Sequence, residues 1–174
     1  MTEAAKRILR ERAQALAKPL EEAVAPTATM ELLVISLAGE RYGIETARIV
    51  EVVPLRDLTP VPCTPPFVLG VVNHRGRILP VLDLRRLFEL AGQGATEGCR
   101  VVAVDAGGLT FGLFAEAVAG TLRVASHDIA PPPVTLARDR QALIEGVTRG
   151  MVAVLDLEAL ARDPRIVVND EVGR

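Results

Sequence analysis

The chain repeats itself, and that constrains its fold more than any other feature. Offset by 69 residues, the run Leu32-Leu33-Val34-Ile35 returns as Val101-Val102-Ala103-Val104. Gly39 and Gly43, four apart, return as Gly108 and Gly112. Farther along, Gly70-Val71 is echoed by Gly146-Val147, and Val81-Leu82-Asp83-Leu84 by Val154-Leu155-Asp156-Leu157. A period near 70 residues exceeds the roughly 20–50 residues of solenoids and propellers. It fits a duplicated small β-barrel. Units of this size bury only about 60% of their unfolded surface and are marginal alone. The two halves are therefore expected to share an apolar interface, with the groove between them as a natural binding site.

Within each half, the pattern is one of short Val-rich strands punctuated by Gly and Pro. Leu32 to Leu37 reads as a strand, Ala38 to Arg41 as a turn, and Tyr42-Gly43-Ile44 as the start of a second strand. Ile49 to Val53 is a further apolar segment. Phe67 to Val72 precedes a turn at Asn73 to Gly76, and Ile78 to Leu82 is the return strand. Asp83 to Phe88 and the equivalent Leu157 to Leu160 read as short helices. Many short strands with regular turns favour barrels over a parallel sheet. The expected fold is mainly β: two tandem small β-barrel subdomains, about 30–92 and 98–165, with short helices.

The first 29 residues differ. Leu9, Ala13, Leu16, Leu20 and Val24 follow roughly helical spacing among basic residues, and Pro19 ends or kinks the helix. Ala25 to Thr29 reads as a linker. Residues 1–29 are thus expected to be a helical extension and linker, and residues 166–174 a C-terminal tail. The extension packs back on its own domain, docks a partner or is disordered.

Net charge is -2 and pI about 5.8, so there is no broad basic field for nucleic acid or an acidic membrane. Aromatics are only 3% of the chain, too few for a base-stacking platform. The longest apolar runs fall far short of the ~20 residues of a membrane-spanning helix. No secretion signal is visible, and the expected compartment is the cytoplasm. Cys63 and Cys99 lack a nearby partner or a His cluster, which leaves no disulfide framework or metal knot, and no cofactor is indicated. Cys63, without an evident base or cation beside it, reads as a small apolar filler. Gly92, Gly94 and Gly98 follow a helix at the wrong spacing for a dinucleotide fingerprint.

Catalysis finds no constellation. Ser126-His127-Asp128 holds the letters of a triad, but neighbours on an extended chain point to opposite faces. His74 lies in a turn beside Arg75 without a second acid-base group in sequence. Asp83 and Asp156 stand at equivalent strand-to-helix junctions, where an Asp caps exposed N–H groups. What remains is the turn Gly70 to Arg77, in which Asn and Gly suit left-handed conformations and Arg75 is thrown outward. A plain hairpin with solvated arginines is the competing account of it.

At these residues the chain resembles the CheW family of bacterial chemotaxis coupling proteins. The matching string runs Gly39-x-x-Tyr42-Gly43-Ile44, Val50-Glu51-Val52, Pro62, Pro65 to Phe67, Gly70-Val71-x-Asn73-x-Arg75-Gly76 and Pro80 to Arg85. Looser matches follow at Gly112-Leu113, Gly146-Val147 and Leu155-Asp156-Leu157. The resemblance spans about residues 31 to 162. It implies two SH3-like five-stranded barrels, whose boundaries need not equal the repeat because strands can be exchanged between the halves, and no enzymatic activity. It implies two partners: the regulatory domain of a CheA-type histidine kinase and the cytoplasmic tip of a methyl-accepting chemotaxis receptor. The receptor- and kinase-binding residues it implies are Ile49, Glu51, Val52, Gly70, Asn73, His74, Arg75 and Gly76. Ile49 matches an apolar groove position, Glu51 and Arg75 a facing pair, and Gly70 and Asn73 shape the turn. Two positions depart: the family usually has Leu at His74, and Val-Asp where this chain has Ala115-Glu116. The competing reading is a β-barrel module binding another protein or an oligonucleotide.

Overall fold

A computed structural model describes residues 28–92, 94 and 98–166. The helix expected ahead of the linker and the tail beyond residue 166 lie outside them. Within the described residues the chain is mainly β, in two sheets. In the first half lie β1 (Thr29–Leu37), β2 (Glu40–Glu45), β3 (Ile49–Pro54), β4 (Val68–His74) and β5 (Arg77–Leu82). In the second half lie β6 (Arg100–Ala106), β7 (Leu109–Ala115), β8 (Ala117–Ala125), β9 (Ile129–Ala130), β10 (Ile144–Thr148) and β11 (Ala153–Leu155). Three short helices interrupt them: α1 (Leu84–Leu87), α2 (Arg138–Gln141) and α3 (Leu157–Arg162). The sequence reading has no counterpart of α2.

Hydrogen bonding does not follow the repeat. One sheet runs β8-β1-β2-β11-β10-β9 and the other β3-β6-β7-β5-β4. The hairpin β1-β2 of the first half has joined the strands of the second, and β6-β7 has joined those of the first. Each exchanged hairpin is received through a short parallel pairing. Tyr42 and Gly43 meet Ala153 and Val154, while Gly112 and Leu113 meet Val81 and Leu82. The repeat-related Gly43 and Gly112 thus sit at equivalent seams.

Both sheets roll. Strands β8 and β9 are opposite edges of the six-stranded sheet, yet only the 3-10 turn Ser126–Asp128 separates them in sequence. That turn forces the two edges together. In the five-stranded sheet the edges are β3 and β4. There the segment after β3 crosses to β4, and Thr59 and Val71 exchange both backbone hydrogen bonds at 2.9 Å. Ala130 pairs with Val147 in the equivalent place. The six-stranded sheet has its extra strand because its crossing segment pairs over two residues, where the other makes a single bridge.

The unbroken Val/Leu runs now have a physical reason. On β1, Leu33, Ile35 and Leu37 face a core shared with Val101, Phe111, Leu113 and Phe114 of the other sheet. Leu32 faces the opposite way, onto Val124 and Val154. Each fully buried Leu or Phe here contributes about 1.5–3 kcal/mol of transfer free energy.

One polar cluster lies inside this apolar packing. Asp83 caps α1 by accepting from Arg85 N at 3.0 Å, as its position in the sequence predicts. Its carboxylate also holds the buried Arg85 guanidinium, with Nε at 2.9 Å from Oδ1 and Nη2 at 2.8 Å from Oδ2. Arg85 Nη1 donates to Glu116 Oε1 at 2.6 Å, and its plane stacks 4.2 Å from the Phe114 ring centre. The second oxygen of Glu116 accepts from Ala38 N, in the β1-β2 turn of the other sheet, at 2.9 Å. Glu116, a departure from the resemblance, therefore ties the two sheets together. Asp156 caps α3 through Ala159 N at 2.8 Å, fulfilling the parallel expectation.

Candidate functional site

The edge strand β3 alternates. Ile49, Glu51 and Val53 are partly covered, while Val50, Val52 and Pro54 face solvent. Ile49 packs against the shared core, so its side chain is partly internal. Val50 is the most open apolar residue of the strand, at 54% exposure, and Val52 is exposed as well.

Opposite β3 in the strand order stands the β4-β5 turn. His74 pairs with Arg77, leaving Arg75 and Gly76 as a two-residue loop with φ of 50° and 79°. Two positive φ values in succession define a type I′ hairpin, whose twist matches that of its strands. Asn73 secures it by accepting from Gly76 N through Oδ1 at 2.9 Å. Gly70 sits at a register shift in β4 with φ of 147°, directly beneath the Thr59 carbonyl. A Cβ there would meet that oxygen at 2.3 Å, so only glycine admits the crossing segment.

Because the sheet rolls, this turn reaches β3. Glu51 Oε2 lies 2.8 Å from Arg75 Nη2 and 3.3 Å from His74 Nε2. The oxygen is buried, and neither donor is aimed at it with hydrogen-bond geometry. Glu51 and Arg75 are thus held by charge proximity without a directed bond, with the imidazole packed alongside. Arg75 is 77% exposed along its side chain, whereas His74 is only 15% exposed. Beside them lies an open cavity of about 520 Å³ whose lining includes Val50, Arg77, Ile78 and Asp105. It belongs to the five-stranded sheet throughout.

The structure thus brings Glu51, Asn73, His74, Arg75 and Gly76 together. Gly70 supports the turn from within, Val52 lies on the exposed face of β3, and Ile49 sits on the core side. Sequence reading missed Ile78, which is 78% exposed, and Asp105. Ile78 stands in an apolar return strand, and only the pairing of β5 shows that it points outward.

Other candidates separate. Ser126 Oγ donates to Ala28 O at 2.8 Å, and Asp128 pairs with Arg149 at 3.0 Å, leaving no Ser-His-Asp convergence. Cys63 is exposed with φ of 61°, which corrects the expectation that it fills apolar space. It lies in a Pro-rich loop whose turn turns it outward, while Cys99 is buried. Among the described residues no three His, Cys, Asp or Glu converge as a metal site. Among the same residues no helix is long and apolar enough to cross a membrane.

The family described as the CheW-like domain matches residues 31–165, spanning both rolled sheets. This chain belongs to that family. The chemotaxis protein CheW of Klebsiella aerogenes is 29% identical over 151 residues, covering 85% of this chain and 91% of that one. Its counterpart from Helicobacter pylori is 31% identical over 129 residues, covering 72% and 78%. Among solved structures, the scaffolding protein TtCheW of Thermoanaerobacter tengcongensis superposes with a TM-score of 0.70 at 33% identity. It covers 76% of this chain and 88% of its own. The two-sheet architecture is therefore a CheW architecture.

Proposed function

We propose that this chain is a non-catalytic adaptor that couples methyl-accepting chemotaxis receptors to a CheA-type histidine kinase. The observation that carries the reading is the family match across residues 31–165, which takes in both sheets and the turn at Arg75. An adaptor of this kind needs no reacting groups. It needs surfaces whose contacts differ between the signalling states of its partners, because only differential binding shifts an equilibrium. The Glu51, His74 and Arg75 trio, bordered by Val50 and Ile78, supplies charge and apolar area in one place. Glu51, Val52, Asn73, His74, Arg75 and Gly76 form its contact face, Gly70 holds the turn in shape, and Ile49 backs the strand from the core side.

An oligonucleotide-binding barrel is less well supported. Tyr42, Phe67, Phe111 and Phe114 are buried and Phe88 is half-buried, so no aromatic ring is free to stack on a base. Co-sedimentation with a receptor cytoplasmic fragment and with a kinase regulatory domain tests the proposal. Binding to both at micromolar concentration is expected, and binding to neither would overturn it.

A further inference from the structure

We propose that His74 makes the affinity of this surface for its partners depend on pH. The inference rests on the adaptor reading above. Glu51 and Arg75 together carry no net charge, and the Glu51 oxygen that faces Arg75 faces His74 as well, at 3.3 Å. The imidazole is largely enclosed between β3 and the turn, so its charge acts on the trio at short range and with limited solvent screening. The other charged groups lining its cavity are Arg77 from β5 and Asp105 from β6, which offset each other. Thr110 from β7 is uncharged. Protonation of His74 therefore changes the sum at this face from neutral to one positive charge. Histidine is the side chain whose charge ordinarily changes between pH 5 and 8.

The added charge has two consequences with the same sign. It competes with Arg75 for the single Glu51 oxygen, loosening a guanidinium that is already mostly in solvent. It also makes the face more attractive to an acidic partner. One unit charge near a partner carboxylate at a solvated interface corresponds to about fivefold in affinity. His127, the only other histidine, is exposed beside Asp128 and Arg149 on the other sheet.

The test measures binding to the receptor fragment and to the kinase regulatory domain at pH 8 and pH 6. It compares the wild type with His74→Leu, fixed neutral, and His74→Lys, fixed positive. Thermal melts at both pH values establish that each variant is folded. For at least one partner, the wild type is expected to bind about fivefold tighter at pH 6, with that increment absent in both variants. His74→Lys is expected to bind as the wild type does at pH 6, which a merely structural histidine would not produce. Wild-type affinity that is flat with pH, or the same increment in His74→Leu, overturns the proposal while leaving the adaptor reading intact. Absence of binding at either pH overturns both.

Discussion

Arg75 and Arg85 are both arginines in charged clusters, and their environments assign them opposite duties. Arg75 occupies a left-handed position, φ 50°, that Asn or Gly fills with less strain. Its guanidinium is largely solvated although the Glu51 oxygen it meets is buried, and pairs with one such exposed partner are worth about 0–1 kcal/mol. Arg75→Asn is therefore expected to change unfolding free energy in urea by less than about 1 kcal/mol, since relief of strain offsets the lost pair. The same substitution should weaken partner binding measurably, and a large stability loss with intact binding would contradict this. Arg85 is 4% exposed and its chief partner Asp83 is fully buried. Hydrogen bonds to Asp83 and then Glu116 raise its pKa further, against the opposing effect of burial. Arg85→Met would leave the buried Asp83 carboxylate with its cap to the residue 85 N–H and an ion pair to the half-exposed Arg86 at 3.6 Å. The expected cost is about 3–5 kcal/mol in the same urea experiment. A cost below about 1 kcal/mol would show that the cluster does not hold the fold.

At the scale of elements, the two halves solve one problem in one way. Gly70 in β4 and Gly146 in β10 both sit at register shifts, and at each a Cβ would strike the carbonyl of the crossing segment. The distances are 2.3 Å to Thr59 O and 2.5 Å to Ala130 O. Closure of each rolled sheet depends on that space. Gly70→Ala, strained by φ as well as by contact, is expected to cost more than about 2 kcal/mol in thermal or urea unfolding. An unchanged melting temperature would refute the closure argument. These glycines were visible in the sequence as an echo, but the reason for them was not. Thr59 lies in a loop and Ala130 in the two-residue strand β9, and no period or propensity announces that either crosses there. The Asn73 to Gly76 turn and both Asp caps were legible because turn and cap chemistry is local. The contact of His74 with Glu51 was not, since it exists only once opposite edges of a sheet have met. The outward face of Ile78 was not legible either, because the return strand reads as uniformly apolar.

At the scale of the whole molecule, exchange of hairpins makes the two sheets one object. Neither half retains a complete sheet of its own, and the Arg85–Glu116 link runs from α1 to the β1-β2 turn of the other sheet. A body of this kind transmits position, which is what an adaptor between receptor and kinase requires. The duplication was plain in the sequence, whereas the receptor and kinase remain the proposal that the family match supports. The most direct test is kinase autophosphorylation in a reconstituted mixture of receptor fragment and CheA-type kinase, with and without this chain. The chain should make the kinase rate respond to the receptor's signalling state while turning over no substrate itself. A kinase rate that ignores the receptor equally in its presence and its absence would contradict the account.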